Sequence, residues 1–387
     1  MKKVAVVAAG QTPFGTHNGE TMKTLFVKAF EDALRHLETE IDFQKTEDVY
    51  IGNLGSGGSQ LGNPAALLVE HIGLNGVSAR RVENACASSG FAFRDAVHSI
   101  RNGADLAIAG GVEIMNDLPS SHQRYWLGVS GDTEWERTAG ATFAGIYALL
   151  ARRHMHEYGT PREALAQIAV KNHKNAVDNP VAQFRKAVTL DRVLSAPMVA
   201  NPLGLFDCCP TSDGASVAIL ASEEYARKLT DEPIWVEGSG AASDYLAIHD
   251  RPSLTTFEAT KRATHQVLKQ SDLSLSDIDF VEVHDCFTIA ELLAIEDIGF
   301  FEKGLAAQAI LDGETSLKGS IPVNASGGLK AKGHPLGATG TGQIAELYKQ
   351  LRGKAGKRQI SDASIGLAHN VGGSGATCAM HILRRDS

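Results

Sequence analysis

Short apolar runs alternate with stretches of helical spacing along the whole chain. Val4-Ala5-Val6-Val7-Ala8 is continuously apolar and predicts a buried strand, and Thr24 to Leu37 follows with a helical repeat. Val49-Tyr50-Ile51 predicts a second strand. Pro64 to Ile72 predicts a helix that starts at its proline, whose fixed φ suits a first helical turn. Arg81-Val82-Glu83-Asn84 leads into a tight turn at Cys86, a helix from Gly90 to Ile100 and a strand over Leu106-Ala107-Ile108-Ala109-Gly110. The order then returns. Strand Ile234-Trp235-Val236, helix Glu258 to Lys269 and strand Phe280-Val281-Glu282-Val283 are followed by helix Ile289 to Ile298. A strand-turn over Ile321 to Ser326, helix Thr341 to Leu351 and strand Ser364 to Leu367 close the series. Alternation of this kind predicts a layered α/β fold.

Two local matches make the pattern an internal repeat. Glu83-Asn84-Ala85-Cys86-Ala87-Ser88 resembles Val323-Asn324-Ala325-Ser326-Gly327 in residues and in place. Ala215 to Leu220 closes the first half much as Ala376 to Leu383 closes the second. The halves are expected at residues 1–232 and 233–387. The first is interrupted by a lobe at about 116–210, richer in His, Arg and Trp, with helices at Phe143 to Tyr158 and Arg162 to Ala176.

Composition narrows the class of molecule. Of 387 residues 43% are apolar and 39 are glycine, ample for a core and for close turns. Thirty-seven basic residues against 45 acidic give a net charge of -8, which leaves no basic footprint for nucleic acid or an anionic membrane. No run approaches the ~18 apolar residues of a membrane span, and the N-terminal apolar run is too short for a signal peptide. Five cysteines without a C-x-x-C pair indicate neither a disulfide framework nor a zinc knuckle. A soluble cytosolic enzyme is the expectation.

Four segments carry candidate chemistry. Cys86 sits where a strand turns into a helix, and the unpaired N–H groups there favour a thiolate and a developing oxyanion. A small buried cysteine in such a corner is the alternative. His284-Asp285-Cys286-Phe287 follows a strand, where open α/β sheets place their chemistry, and offers a hydrogen-bond donor and an acid/base thiol; a structural turn is the other reading. Gly333-His334-Pro335 opens a glycine-rich loop that lacks a phosphate-loop signature, leaving His334 as a general base for a thiol or as a structural histidine. His369-Asn370-Val371-Gly372-Gly373-Ser374-Gly375 is a tight turn whose N–H groups can join an oxyanion hole. Cys208, Cys209 and Cys378 read as packing residues.

In combination the four segments resemble the thiolase superfamily, and within it the sterol-carrier-protein type, closest to archaeal acetoacetyl-CoA thiolases. Ala85-Cys86-Ala87-Ser88, His284-Asp285-Cys286-Phe287 and Gly333-His334-Pro335 carry the resemblance, with Ala151-Arg152-Arg153-His154-Met155 and Val170-Lys171-Asn172-His173-Lys174-Asn175 in the lobe. It implies two βαβαβαββ halves stacked as five αβαβα layers. It also implies reversible Claisen condensation of two acetyl-CoA to acetoacetyl-CoA and CoA. Cys86 would be the nucleophile, His334 its base and Cys286 the second acid/base thiol. His284 would help His334 hold an enolate oxygen, and the N–H groups of Cys86 and Gly372 would hold the acyl oxyanion. Many thiolases have Asn-Glu-Ala-Phe at the His284 segment and a C-x-G cysteine in the last turn; here the turn has none, so Cys286 is the substitute. No metal or dissociable cofactor is implied, since CoA thioesters are substrates. Family members form dimers that often pair, and relatives associate with a small zinc-ribbon/OB-fold subunit and with 3-hydroxy-3-methylglutaryl-CoA synthase. A branched or aromatic 3-oxoacyl-CoA as substrate, a decarboxylating β-ketoacyl synthase and a catalytically dead scaffold subunit are the alternatives.

Overall fold

The computed structural model describes residues 2–58 and 60–386. In the first half β1 (Val4–Gln11), α1 (Met22–Leu34), β2 (Thr46–Gly52), α2 (Pro64–His71), β3 (Ser78–Val82), α3 (Ser88–Arg101) and β4 (Leu106–Glu113) alternate. Local chemistry sets these boundaries. Thr21 and Thr24 close a reciprocal capping box at the start of α1, and Asn63 caps α2 just ahead of Pro64. A long excursion carries α4 (Ser120–Gly128), α5 (Phe143–Tyr158), α6 (Arg162–Ala176), α7 (Leu190–Leu194) and the hairpin β5 (Met198–Ala200) and β6 (Leu203–Gly204). The chain then re-enters the sheet as β7 (Gly214–Ser222) and leaves through α8 (Glu223–Leu229).

The second half runs β8 (Ile234–Ser243), α9 (Glu258–Ser271), β9 (Phe280–Glu282), α10 (Thr288–Ile298), α11 (Ala306–Leu311), α12 (Gly328–Lys332), α13 (Thr339–Leu351), β10 (Ile365–Gly372) and β11 (Thr377–Arg385). The strand expected at Ile321 to Val323 is reduced to one parallel bridge, Val281 with Val323. The chain turns away at Asn324, whose side-chain oxygen accepts the Val283 N–H and ends the pairing.

Strand order is β3-β2-β4-β7-β1-β8-β11-β10-β9. Five strands of the first half and four of the second run outward from the β1–β8 contact, which is antiparallel through Ala5 with Trp235 and Val6 with Ile234. The two expected sheets are therefore hydrogen-bonded edge to edge into one, because β1 and β8 meet over a short stretch. Layering survives this. Helices α3 and α13 pack on each other and on strands of both halves, while α1 and α9 cover the outer faces. Among the described residues three large apolar cores follow. One lies between α1, α2 and the first-half strands; one surrounds Phe93, Val97, Ile344 and Tyr348 on the central helices; one joins α9 and α10 to the lobe helices.

The repeat positions the chemistry. The corner ahead of α3 and the matching corner ahead of α12 each hold a non-glycine residue in left-handed backbone, Ala85 at φ 49° and Asn324 at φ 57°. Lobe helix α6 and the turn that follows it are tied to the second corner by a ladder of side chains. Lys171 donates to the Val323 carbonyl (2.7 Å), Asn175 to that of Asn324 (3.0 Å) and Asn179 to that of Ser326 (2.7 Å).

Candidate active site

Cys86 lies in the corner between β3 and α3. Ser88 builds that corner: its hydroxyl accepts the Asn84 N–H (2.9 Å) and donates to the Ala85 carbonyl (2.6 Å). The left-handed turn at Ala85 then brings Cys86 to the N-terminus of α3, half-buried at the floor of a cavity of about 480 Å³. The lobe roofs this cavity with Phe143, Tyr147 and Val199, and adds the guanidinium groups of Arg124 and Arg137.

The glycine loop delivers His334 to the same cavity. Glu113, at the end of β4, accepts the N–H groups of Gly337 (3.0 Å), Leu54, Gly55 and Ser56, which anchors the loop. The approach is close enough that a Cβ on Gly111 would stand 1.9 Å from the Gly337 carbonyl oxygen. The His334 ring is 4% exposed. Its Nδ1 is 2.7 Å from the Thr339 hydroxyl, which itself donates to the Pro335 carbonyl (2.9 Å). With its one proton committed there, Thr339 accepts from Nδ1–H, and the neutral ring keeps a bare lone pair on Nε2.

His284, Asp285 and Cys286 follow β9. Asp285 turns away from the cavity and accepts the N–H groups of Leu329 (2.6 Å) and Lys330 (3.2 Å) in α12, the helix that precedes His334. Burial, reinforced by the neighbouring Glu291, pushes its carboxyl up to about 7. The Cys286 side chain enters the cavity wall beside Phe287, on which the Tyr147 ring stacks at 4.6 Å. His284 stands edge-on to His334 with ring centres 5.0 Å apart. The Cys86 sulfur and one nitrogen of each histidine all lie within 4.8 Å of one another. Nε2 of both rings is buried without a partner.

Two expectations need correction. The amide directed at the Cys86 sulfur is that of Gly373, not Gly372. Gly372 is still in register with Thr377 in the β10–β11 ladder, and only the next residue turns inward, where its carbonyl receives the Tyr147 hydroxyl (3.1 Å). The helix N-terminus, expected to favour the thiolate, also does not bring the Cys86 thiol below its ordinary value. Burial pushes the thiol up to about 12, and the N–H groups of Gly373 and Cys86 offset only part of that. Burial pushes Cys286 up as well, with Cys209 and Cys86 adding to it. It takes His334 down to about 3 and His284 well below its usual value. Thiols and rings are therefore all uncharged at neutral pH, and a proton moves only when the chemistry demands it.

Cys208 and Cys209, expected as packing residues, belong to the cavity wall, and the Cys209 N–H donates to the Cys286 carbonyl (2.9 Å). Cys378 is buried in β11 opposite Val371, within the apolar core. Sequence reasoning missed the roles of Tyr147, Thr339 and the Asn370 side chain. Thr339 and Asn370 lie inside segments already singled out, but their signal was masked by the glycines around them. Tyr147 carries none that its own helix would reveal.

Comparison with known proteins gives this constellation a family. The model described as thiolase, N-terminal domain, matches residues 4–224, and that described as thiolase C-terminal domain-like matches 240–385. The chain belongs to the thiolase family. An acetyl-CoA acetyltransferase of Methanothermobacter thermautotrophicus is 45% identical over the whole of both chains. Sterol carrier protein 2 of Oryctolagus cuniculus is 34% identical over 97% of this chain and 71% of its own. Among solved structures, the Ltp2-ChsH2(DUF35) aldolase superimposes with a TM-score of 0.84 at 25% identity, covering 99% of this chain and 98% of that one. The family's fold thus extends over the cavity and both halves. Among the described residues no helix is long and apolar enough to cross a membrane.

Proposed function

We propose that this thiolase condenses two acetyl-CoA molecules to acetoacetyl-CoA and CoA, reversibly, through an acetyl group carried on Cys86. The observation that carries the reading is the convergence on one cavity of a thiol, a histidine lone pair and a second thiol, from Cys86, His334 and Cys286. As acetyl-CoA docks, the Cys86 proton passes to His334 Nε2 and the sulfur attacks the thioester carbonyl. The N–H groups of Cys86 and Gly373 receive the oxyanion. Collapse expels the CoA thiolate, which takes its proton from Cys286 and leaves by the cavity mouth. Cys286, now a thiolate, removes the α-proton of a second acetyl-CoA. The enolate oxygen is held by protonated His334 and by His284, and its carbon attacks the acetyl group. Cys86 departs as a thiolate and recovers its proton from His334. Every proton is returned, and the covalent intermediate divides one hard step into two easier ones.

Several further assignments belong to the same reading. CoA thioesters are the substrates, with Arg124 and Arg137 of the lobe suited to the anionic tail of CoA. The chemistry requires no metal or dissociable cofactor. The protein works in the cytoplasm as a homodimer or pair of dimers. A small zinc-ribbon/OB-fold subunit and a 3-hydroxy-3-methylglutaryl-CoA synthase are candidate partners; the DUF35 subunit in the name of the similar aldolase supports the former.

The test is CoA release from acetyl-CoA, and thiolysis of a panel of 3-oxoacyl-CoAs, with peptide mapping of the acetylated residue. Turnover of acetoacetyl-CoA with acetyl on Cys86 is expected. Acetyl on Cys209 or Cys208, or preference for a branched or aromatic 3-oxoacyl-CoA, overturns the residue or the substrate assignment respectively.

A further inference from the structure

His284 and His334 stand edge-on to each other, both buried and both unpartnered at Nε2, yet the condensation asks opposite things of them. One must accept a proton and the other must donate a hydrogen bond. Thr339 makes His334 the acceptor, as shown above. The structure supplies a counterpart for His284 in Asn370, near the end of β10. The Asn370 side-chain nitrogen is 3.1 Å from the Cys86 carbonyl oxygen and 3.2 Å from His284 Nδ1. A carbonyl can only accept, so it must face the NH2 end of the amide, and this fixes the amide's rotation. The second hydrogen of that NH2 points at His284 Nδ1, which must then accept. A neutral imidazole has one proton, so His284 carries it on Nε2, the buried nitrogen that has no other partner. Burial, with His334 and His369 alongside, holds the ring neutral. The amide is also clamped: a Cβ on Gly340 would stand 2.4 Å from its oxygen and one on Gly90 2.7 Å. Asn370 is thus wedged between the first turns of both central helices.

The proton on His284 Nε2 has a second consequence. Cys86, His284 and His334 present a sulfur and two nitrogens within 4.8 Å of one another, close to the donor spacing of a cysteine–histidine zinc site. A metal takes a histidine only through a bare lone pair. His334 offers one at Nε2; His284 has a proton there, and its one lone pair, on Nδ1, is taken by Asn370.

We propose that Asn370 is a positioning residue that holds His284 in its Nε2–H form, making that ring a hydrogen-bond donor and keeping the catalytic thiol from being captured by soft divalent metal ions. The donor role rests on the thiolase reading above, whereas the tautomer and the metal exclusion can be read without turnover.

The experiment begins with the native protein. Histidine 15N NMR, with His284 assigned from a His284→Gln variant, is expected to show Nε2–H at His284 and Nδ1–H at His334. Nδ1–H at His284 overturns the proposal. Asn370→Asp keeps the shape and reverses the polarity: its oxygen facing Nδ1 accepts, whether the carboxyl is ionised or protonated toward the Cys86 carbonyl. His284 should then move its proton to Nδ1. In single turnovers the variant should still acetylate Cys86 but condense about 10²–10³-fold more slowly, the usual loss for one oxyanion donor. Metal-stripped Asn370→Asp should bind one Co2+ per chain, the Cys86 thiol losing its proton to the buffer and a thiolate-to-cobalt charge-transfer absorption appearing. That absorption should vanish in Asn370→Asp/Cys86→Ala and persist in Asn370→Asp/Cys208→Ser. Native protein should bind at least about tenfold more weakly, the lower end of the effect expected from a residue that orients a metal ligand. Equal Co2+ affinity in the native and Asn370→Asp proteins, or a band that survives loss of Cys86, refutes the exclusion.

Discussion

Replacing Thr339 by valine removes one oxygen and leaves the volume of the site almost unchanged. That oxygen is the acceptor for His334 Nδ1 at 2.7 Å, and no water replaces it easily, since His334 is 4% exposed and Thr339 2%. Valine cannot accept, so an Nδ1–H left facing it is a buried unpaired donor, costing about 1–3 kcal/mol. The ring escapes that cost by moving its proton to Nε2, which then points N–H instead of a lone pair at Cys86. Either route makes the basic form of His334 about 1–3 kcal/mol harder to reach. At 1.36 kcal/mol per factor of ten, acetylation of Cys86 should slow by about 5–150-fold. The assay is rapid-quench mass spectrometry of Cys86 after mixing with acetyl-CoA, alongside urea unfolding to establish that the variant is folded. Thr339→Ser, which keeps the hydroxyl, should acetylate near the native rate. A folded Thr339→Val that acetylates as fast as native protein refutes the tautomer argument and, with it, the assignment of His334 as base.

Two further outcomes follow from the same geometry. Cys286→Ala should still acquire acetyl on Cys86 but fail to condense, whereas Cys378→Ala should remain active with about 1–2 kcal/mol less stability from lost core packing; the reverse pattern exchanges their roles. Acidification tests the buried histidines: burial holds His381 at about 3, between the Ser239 hydroxyl and the Gly90 carbonyl, so below pH 6.5 the unfolded chain binds a proton there that the folded chain does not. Stability is therefore lost as pH falls through 6.5, by about 2 kcal/mol for this residue between pH 7.5 and 5, and His381→Gln should remove that share from urea midpoints measured across the range. An unchanged pH slope in His381→Gln means the ring is protonated in the folded state.

Much of this protein was legible from its sequence because the signals are local. Apolar runs, the proline at the start of α2, and the doubled corner ahead of α3 and α12 each depend on a few adjacent residues. So do the three segments that carry Cys86, His284 with Cys286, and His334, since backbone turns of this kind are specified where they occur. The family resemblance added the order in which those segments would act.

What lay beyond the sequence depends on residues brought together from far along the chain. Which amide faces Cys86, Gly372 or Gly373, is decided by where the β10–β11 ladder ends and by a tyrosine hydroxyl 226 residues away. The Cys86 thiol lies above its ordinary value because the helix N-terminus acts over one turn, whereas desolvation sums over the lobe, both halves and the loop that encloses the thiol. The place of Cys208 and Cys209 follows from a bridge between residues 208 and 287, which no local pattern announces. Residue type supplies the two histidines, but a histidine's chemistry depends on which nitrogen holds its proton. That is set by Thr339 in one case and by Asn370, 86 residues from His284, in the other, so only the folded chain could decide which ring is the base and which the donor.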